Sequence, residues 1–489
     1  MTNISLFLQK FRNHKEITLT AFFFLLLYCS IALINHYNFR TYALDLGTYI
    51  NVVYNYAHFN FASNQVWQAQ SVNILGDHFD LFLMIISPLS YIFHSYTLQL
   101  VQIIFIIIGG VGIYQFCNML FENKKNALII SISFFSFYGV FSALAFDYHS
   151  NVIAAMLVPW FFYYFFQSRW LNCNIIFLLI LITKENMSLW LVFIAFGLII
   201  HFRHNKIKIK RASVYGAIAI TWFILLVKII MPALFDKAVY AHMHYEVLGS
   251  EFTEIIKNSI TTPLHFFSLL FINHSGNAHA DWIKMELHLF ILISGGFLLL
   301  FKPQFLLMLV PIYAQKLFHN DVTVWGISSQ YSIEFAPILF LGAACVINDI
   351  THLTTRKFLL FLLPVLTIAV TIRSFDHTYA YFDRTKQRIY QPEHWTRNFD
   401  VPKVYDALNL IPNTAAVSAQ SPFVPHLAER EHIYQYPIIN DAGYIILNIN
   451  ENSYPLLLKE YNKKIIELIN SKNWNIVYKQ PPVIIFKHN

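Results

Sequence analysis

The chain has 489 residues, 56% of them hydrophobic and only 12% charged, with 47 Phe, 28 Tyr and a mean hydropathy of +0.49. Soluble chains carry about 25% charged residues, so this composition excludes an ordinary soluble protein and reads as a polytopic membrane protein. The net charge of +7 does not point to nucleic acid, because most Lys and Arg fall in short loops between apolar runs, where they set membrane orientation.

The first apolar run, Ile17–Leu33, follows a basic start (Lys10, Arg12, Lys15) and has no small-residue cleavage site after it, so it reads as a retained span. A span needs roughly 17–25 apolar residues, which gives about eleven: near 17–36, 97–120, 127–146, 150–167, 170–183, 187–202, 211–231, 285–301, 304–318, 331–349 and 357–373. With the N-terminus inside, Lys124, Lys125, Arg169, the Arg203–Arg211 cluster, Lys302, Arg356 and Lys357 all become cytoplasmic. The stretch Phe79–His94 is short and carries Pro88; counted as a span it would reverse every later loop, so it reads as an interfacial or re-entrant helix. Cys29, Cys117, Cys173 and Cys345 lie in apolar segments without metal-type spacing.

This topology gathers ionisable residues on the outer face, where groups near membrane depth are candidates for function. The first outer loop holds Arg40, Asp45, Asp77, His78 and Asp80, and the second Asp147-Tyr148-His149-Ser150-Asn151. The third is the turn Lys184-Glu185-Asn186. The fourth, near 232–284, carries His242, His244, Tyr245, Glu246, Glu251, Glu254, His265, His274, His279 and Asp281, its histidines reading as solvated. Asp45 fits either a helix cap or a carboxylate that takes a proton from an attacking hydroxyl. Asp77-His78 and Asp147-x-His149 fit caps, or donors to a divalent ion or phosphate, so a divalent metal is an open cofactor with those four residues as its ligands. Lys184-Glu185 fits a capping ion pair, or a cation placed for a phosphate. No P-loop, G-x-G-x-x-G, H-E-x-x-H or nucleophile elbow occurs, so a soluble nucleotide has no seat. A lipid with a charged head suits this layout.

From about Ser374 the chain turns hydrophilic, with Asp376, Asp383, Arg384, Lys386, Arg388, Glu393 and Arg397. Strand-like runs at Ala415–Ala419, Ile433–Tyr436, Tyr444–Ile449, Trp474–Lys479 and Val483–Lys487 alternate with helix-like runs at Pro402–Leu410 and Tyr454–Ser471. The expectation is two domains: a membrane domain, 1–373, and an extracytoplasmic α/β domain, 374–489, that covers the outer site or binds acceptor.

Several motifs carry a resemblance: Leu44-Asp45-Leu46-Gly47, Gly76-Asp77-His78-Phe79 leading to Ser87-Pro88-Leu89, Phe146-Asp147-Tyr148-His149, and Lys184-Glu185-Asn186. Tyr245 with Leu248-Gly249, Gly326-Ile327-Ser328-Ser329-Gln330-Tyr331, and Val417-Ser418-Ala419-Gln420 follow in the same order. Together they resemble a family of predicted prokaryotic multi-span membrane proteins of unknown function, related to the type C (GT-C) glycosyltransferases, which take sugars from polyprenyl-phosphate carriers. The sequence departs from that pattern at Gln330, where His is expected, and at Asn186, where an acid is expected. The resemblance implies a polytopic α-helical membrane fold of GT-C type and inverting transfer from a polyprenyl-phosphate sugar at the outer face of the cytoplasmic membrane. It implies Asp45 as general base, as an acidic residue of the first outer loop, with Asp77 and Asp147 behind it. Arg40, His78, His149 and Lys184 are then candidates to hold the phosphate, with Glu185 and Tyr245 lining the site. The rival expectations are a lipid-glycan transporter, which would place charges at mid-membrane, and a membrane-anchored binding module working through its tail.

Overall fold

The computed structural model describes residues 15–61, 64–67, 73–235, 244–249 and 252–489. Lys10, Arg12, His242 and Glu251 lie outside the described residues. The apolar runs fold as helices, since only intrasegment hydrogen bonds satisfy a backbone in hydrocarbon. Five helices are long and apolar enough to cross a membrane: Lys15–Tyr37, Phe82–Phe121, Lys206–Leu234, Ala278–Leu299 and Leu353–Asp376. Two bent pairs, Lys124–Phe135 with Tyr138–Leu144 and Val322–Ser332 with Phe335–Asp349, turn by 46° and 66° and bring the number to seven if each is one span. The expected count of about eleven is not reached on these criteria. The runs Ser150–Phe166, Trp170–Leu181, Glu185–His201 and Pro303–Leu317 fold as helices of 17, 12, 17 and 15 residues, below the about 20 that span a bilayer without thinning.

The expected short helix before the second span is an irregular helical stretch from Phe82 to Phe93. It starts at Phe82 because the Asp80 Oδ1 accepts the Phe82 and Leu83 amides, at 3.0 and 3.3 Å. It ends where His94 takes φ 49°, turning the chain into the long helix Thr97–Phe121.

The helices share two ends. At one, Lys302 pairs with Asp349 at 2.6 Å, Lys208 donates to the Phe166 carbonyl, and Arg211 and Arg356 stack on Trp170 and Phe121. At the other lie the acidic and imidazole residues of the loops. The buried Lys284, Glu286, Lys316 and Glu334 also sit at this second end of their helices.

The tail builds a five-stranded sheet from β1 (Val417–Ala419), β2 (Ile433–Gln435), β3 (Tyr444–Asn448), β4 (Trp474–Gln480) and β5 (Val483–His488), in the order β2-β1-β3-β5-β4. β1 runs parallel to β2 and β3, while β5 is antiparallel to β3 and β4. Helix Val401–Leu408 buries Val401, Val404, Ala407 and Leu408 in a cluster with Phe39, Ala43 and β1. Helix Leu458–Asn470 lays Tyr461, Ile465 and Leu468 against β3 and β5. The sheet unit is thereby docked on the loop that follows the first long helix. Asn51 donates to the Ala428 and Arg430 carbonyls.

Candidate functional site

The first loop leaves its helix at Tyr37 and is pinned from both sides before it turns. The Tyr42 amide donates to Asp147 Oδ2 at 3.0 Å, and the Ala43 amide donates to Ser421 Oγ at 3.1 Å. Residues Ala43–Gly47 then form one wide helical turn that runs into helix Thr48–Ala57. Gly47 is required there: a Cβ would lie 2.8 Å from Val424 Cγ1 of the tail. Neither helix start uses the Asp45 side chain as a cap. Its carboxylate instead faces His149, with Oδ1 3.3 Å from Nε2 and the side chain 30% exposed. His149 is held by its own backbone: its amide donates to Gln102 Oε1 at 3.0 Å, and its Nδ1 lies 3.1 Å from the Asp147 carbonyl.

A second pair stands beside the first. Glu185, which is buried, meets His78 Nδ1 at 3.3 Å and accepts the Phe79 amide at 3.1 Å. The Leu81 and Phe82 amides donate to the Ile182 carbonyl, so the stretch 78–82 is latched onto the turn that carries Lys184. Burial pushes the Asp45 carboxyl up, but the hydrogen bond and charge of His149, with Lys184 and His78 behind it, more than reverse this and hold it below its ordinary value. Asp147 behaves oppositely: burial, with the nearby Asp45 adding to it, lifts it to about 6 against the pull of Lys386 and the Tyr42 amide. Asp80 is lifted by burial to about 7.

The structure thus brings Asp45, His149, His78, Lys184, Glu185 and Asp147 to one end of the helices. Arg40 goes elsewhere: its guanidinium donates to the carbonyls of His394, Glu393 and Thr396 at 2.5, 2.6 and 2.8 Å, clasping the tail to the first loop. Asp77 closes the short helix Ile74–Asp77, whose cap is Asn73. Tyr245 packs near His319, with ring centroids 5.6 Å apart. His274, expected to be solvated, meets the Lys284 ammonium at 2.9 Å and the His319 carbonyl at 3.3 Å. His78 meets Glu185, and His149 meets Asp45 through Nε2. Among the described residues no three His, Cys, Asp or Glu side chains are placed as a metal cage.

Three more residues of this region have no role assigned from the sequence, where Asp80 is only one of the outer-loop acids. Asp80 caps the helix at Phe82. Glu334, buried, accepts from Asn151 Nδ2 at 2.9 Å. Lys386, read as part of a hydrophilic stretch, is buried, with its ammonium 4.5 Å from the Tyr42 ring centroid. Its local signal is Asp383-x-Thr385: the Asp383 Oδ1 accepts from the Thr385 amide and hydroxyl at 3.0 and 2.6 Å, and this turn points the next side chain inward.

The model of a family described as DUF2079, predicted membrane protein, matches residues 35–485. This chain belongs to that family. No curated protein matches the sequence. Among solved structures, ArnT from Cupriavidus metallidurans bound to undecaprenyl phosphate has a similar fold, with a TM-score of 0.55 at 9% identity over 96% of this DUF2079 chain and 97% of that one. The Archaeoglobus fulgidus oligosaccharyltransferase, tethered to an acceptor peptide containing the NVT sequon, scores 0.47 at 12% identity over 90% and 70% of the two chains. The mycobacterial arabinofuranosyltransferase AftD scores 0.49 at 12% identity, over 97% of this chain and 40% of that one. The fold likeness to ArnT agrees with the type C relation to which the motifs of the DUF2079 chain pointed.

Proposed function

We propose that this DUF2079 protein is a membrane glycosyltransferase of type C architecture. It moves a sugar from a polyprenyl-phosphate donor to an acceptor glycan, lipid or protein. The reaction takes place at the outer face of the cytoplasmic membrane, with the N-terminus inside and residues 374–489 outside as a separate domain. What supports this is the Asp45–His149 pair, 3.3 Å apart, at the mouth of the first loop on a fold like that of ArnT, whose structure holds undecaprenyl phosphate. Asp45 is ionised, partly open and oriented by its imidazole partner, which are the properties of a proton acceptor. The acceptor hydroxyl gives its proton to Asp45 as its oxygen bonds to the anomeric carbon. The bond from that carbon to the phosphate oxygen breaks, its electron pair leaves with the polyprenyl phosphate, and the configuration inverts. Lys184 and His78, whose charges bear on Asp45, lower the cost of the charge on the departing phosphate in this reading.

The deciding assay is transfer by purified protein in lipid, supplied with a panel of polyprenyl-phosphate sugars and membrane glycan extract. Asp45→Asn lowers turnover by about 10²–10⁴ with melting unchanged. Transfer that survives the substitution moves the base to Asp77 or Asp147. The same assay with and without chelator reads whether a divalent ion shares the phosphate's charge.

A further inference from the structure

An open cavity of about 380 Å³ lies where the first loop meets the tail, a size within the about 300–1,000 Å³ of small-molecule sites. Three stretches of chain wall it: Arg40 of the first loop, Thr385 with residues between 393 and 398, and Glu451 after β3. Every residue that lines it is polar or charged. Arg40 is fixed at its wall by the three bonds to the carbonyls of His394, Glu393 and Thr396. Arg397 gives Nη2 to Glu451, and its guanidinium is held 5.0 Å from the Phe399 ring centroid. Its Nη1 and Nε find no acceptor among the described residues. Glu393 and Asn398 are exposed beside it.

This wall selects a class of ligand. Arg40 and Arg397 are matched by Glu393 and Glu451, so the lining residues carry no net charge. A phosphate would meet two carboxylates and a cation two guanidinium groups, with no surplus of the opposite sign for either. An apolar ligand would find no apolar wall. Guanidinium and amide donors beside carboxylate acceptors suit a ligand made of hydroxyls, each of which gives one hydrogen bond and takes another. That ligand is a neutral saccharide.

Asp45, His149, His78 and Lys184 do not line the cavity, so a sugar held there is not the one being transferred. Arg40 and Asp45 are five positions apart on one loop, which keeps their Cα atoms within about 18 Å. A short oligosaccharide spans such a distance. We propose that the cavity walled by Arg40, Arg397, Asn398 and Glu451 binds a neutral sugar unit of the acceptor, which is an oligosaccharide whose reacting hydroxyl lies further along at Asp45. This rests on the glycosyltransferase reading, and it gives the tail a direct part in choosing the acceptor.

The test is equilibrium binding to the full-length protein in nanodiscs. The probes are neutral trisaccharides of glucose, galactose, mannose and N-acetylglucosamine, with inorganic phosphate as competitor. The wild type binds at least one trisaccharide saturably, and phosphate does not displace it. Arg397→Gln weakens that binding about tenfold and Asn398→Ala about threefold. Asn398 is exposed, so its variant decides even where the loss of the Arg397 pair with Glu451 disturbs folding. Asp45→Asn, outside the cavity, stays within about twofold of wild type. In the transfer assay both cavity variants raise KM for the acceptor and leave KM for the lipid donor unchanged. Displacement by phosphate, cavity variants that bind as wild type, or loss of binding in Asp45→Asn each overturns the proposal. No trisaccharide binding alongside intact transfer overturns the proposal alone. Binding without transfer from any lipid donor overturns the acceptor role together with the glycosyltransferase reading.

Discussion

Asp80 offers the sharpest physical test of how the outer end is built. It is 1% exposed, and burial raises it from an ordinary 3.8 to about 7, against two amide hydrogen bonds, Ser150 and the charge of Lys184. Because the folded value lies above the unfolded one, ionising Asp80 costs the folded state. The cost is absent below about pH 4, grows through the acid range and is complete above about pH 7. At 1.36 kcal/mol per pKa unit it amounts to ~2 kcal/mol at pH 5.5 and ~4 kcal/mol at pH 8.5. Asp80→Asn keeps an oxygen to accept the Phe82 and Leu83 amides and cannot ionise. The variant is therefore indistinguishable from wild type near pH 4 and increasingly more stable than it as pH rises. Unfolding in mild detergent, followed from pH 4 to 8.5, reads the difference directly. A difference that does not change with pH, or a variant that is less stable at pH 8.5, refutes the account.

Three further substitutions test other parts of the site. Arg40→Gln removes three charge-assisted bonds to the carbonyls of His394, Glu393 and Thr396. It costs about 3 kcal/mol and opens the segment near 393–397 to limited proteolysis; unchanged stability with a raised KM for lipid donor would return Arg40 to the phosphate. Gly47→Ala drives a methyl to 2.8 Å from Val424 Cγ1 and costs about 1–3 kcal/mol, most of it recovered when Val424→Ala is added. His149→Gln takes away the charge that holds Asp45 low, leaving burial to raise it. The base works only when ionised, so the acid limb of the pH–rate profile moves to higher pH. A limb that stays in place separates His149 from Asp45.

The sequence was most legible where physical signals are local. All five strands of the tail fall where β-branched and aromatic runs place them, and the hydrophilic turn at 184–186 ends one helix and starts the next. Span number was less legible, because hydropathy registers an apolar run such as Trp170–Leu181 without saying that it closes as a helix of 12 residues. Side-chain partners were the least legible. Arg40 in a loop of acids and aromatics carries the same letters whether it meets a phosphate or three carbonyls more than 350 positions away, and only the docking of the tail decides. Lys386 failed for the same reason in reverse: a lysine among charges reads as solvated until the Asp383 turn and the fold bury it.

The four acidic groups around the first loop differ in environment more than in chemistry, and the difference assigns their parts. Asp80 and Glu185 are spent on backbone amides, locking 78–83 to the neighbouring turn and helix start. Asp147 is closed off and raised to about 6, burial being the main cause, so keeping it ionised near neutral pH costs the fold, though less than Asp80 does. Asp45 alone among these four combines partial exposure with a carboxyl held below its ordinary value. Carboxyls driven apart in this way are how one site keeps a charged acceptor beside groups that only hold and orient. In the proposed reaction, a base so acidic would catch its proton late, after the bond to the phosphate has largely broken. That timing suits a leaving group that needs its charge held and no proton, and it favours Asp45 over Asp147 as the acceptor.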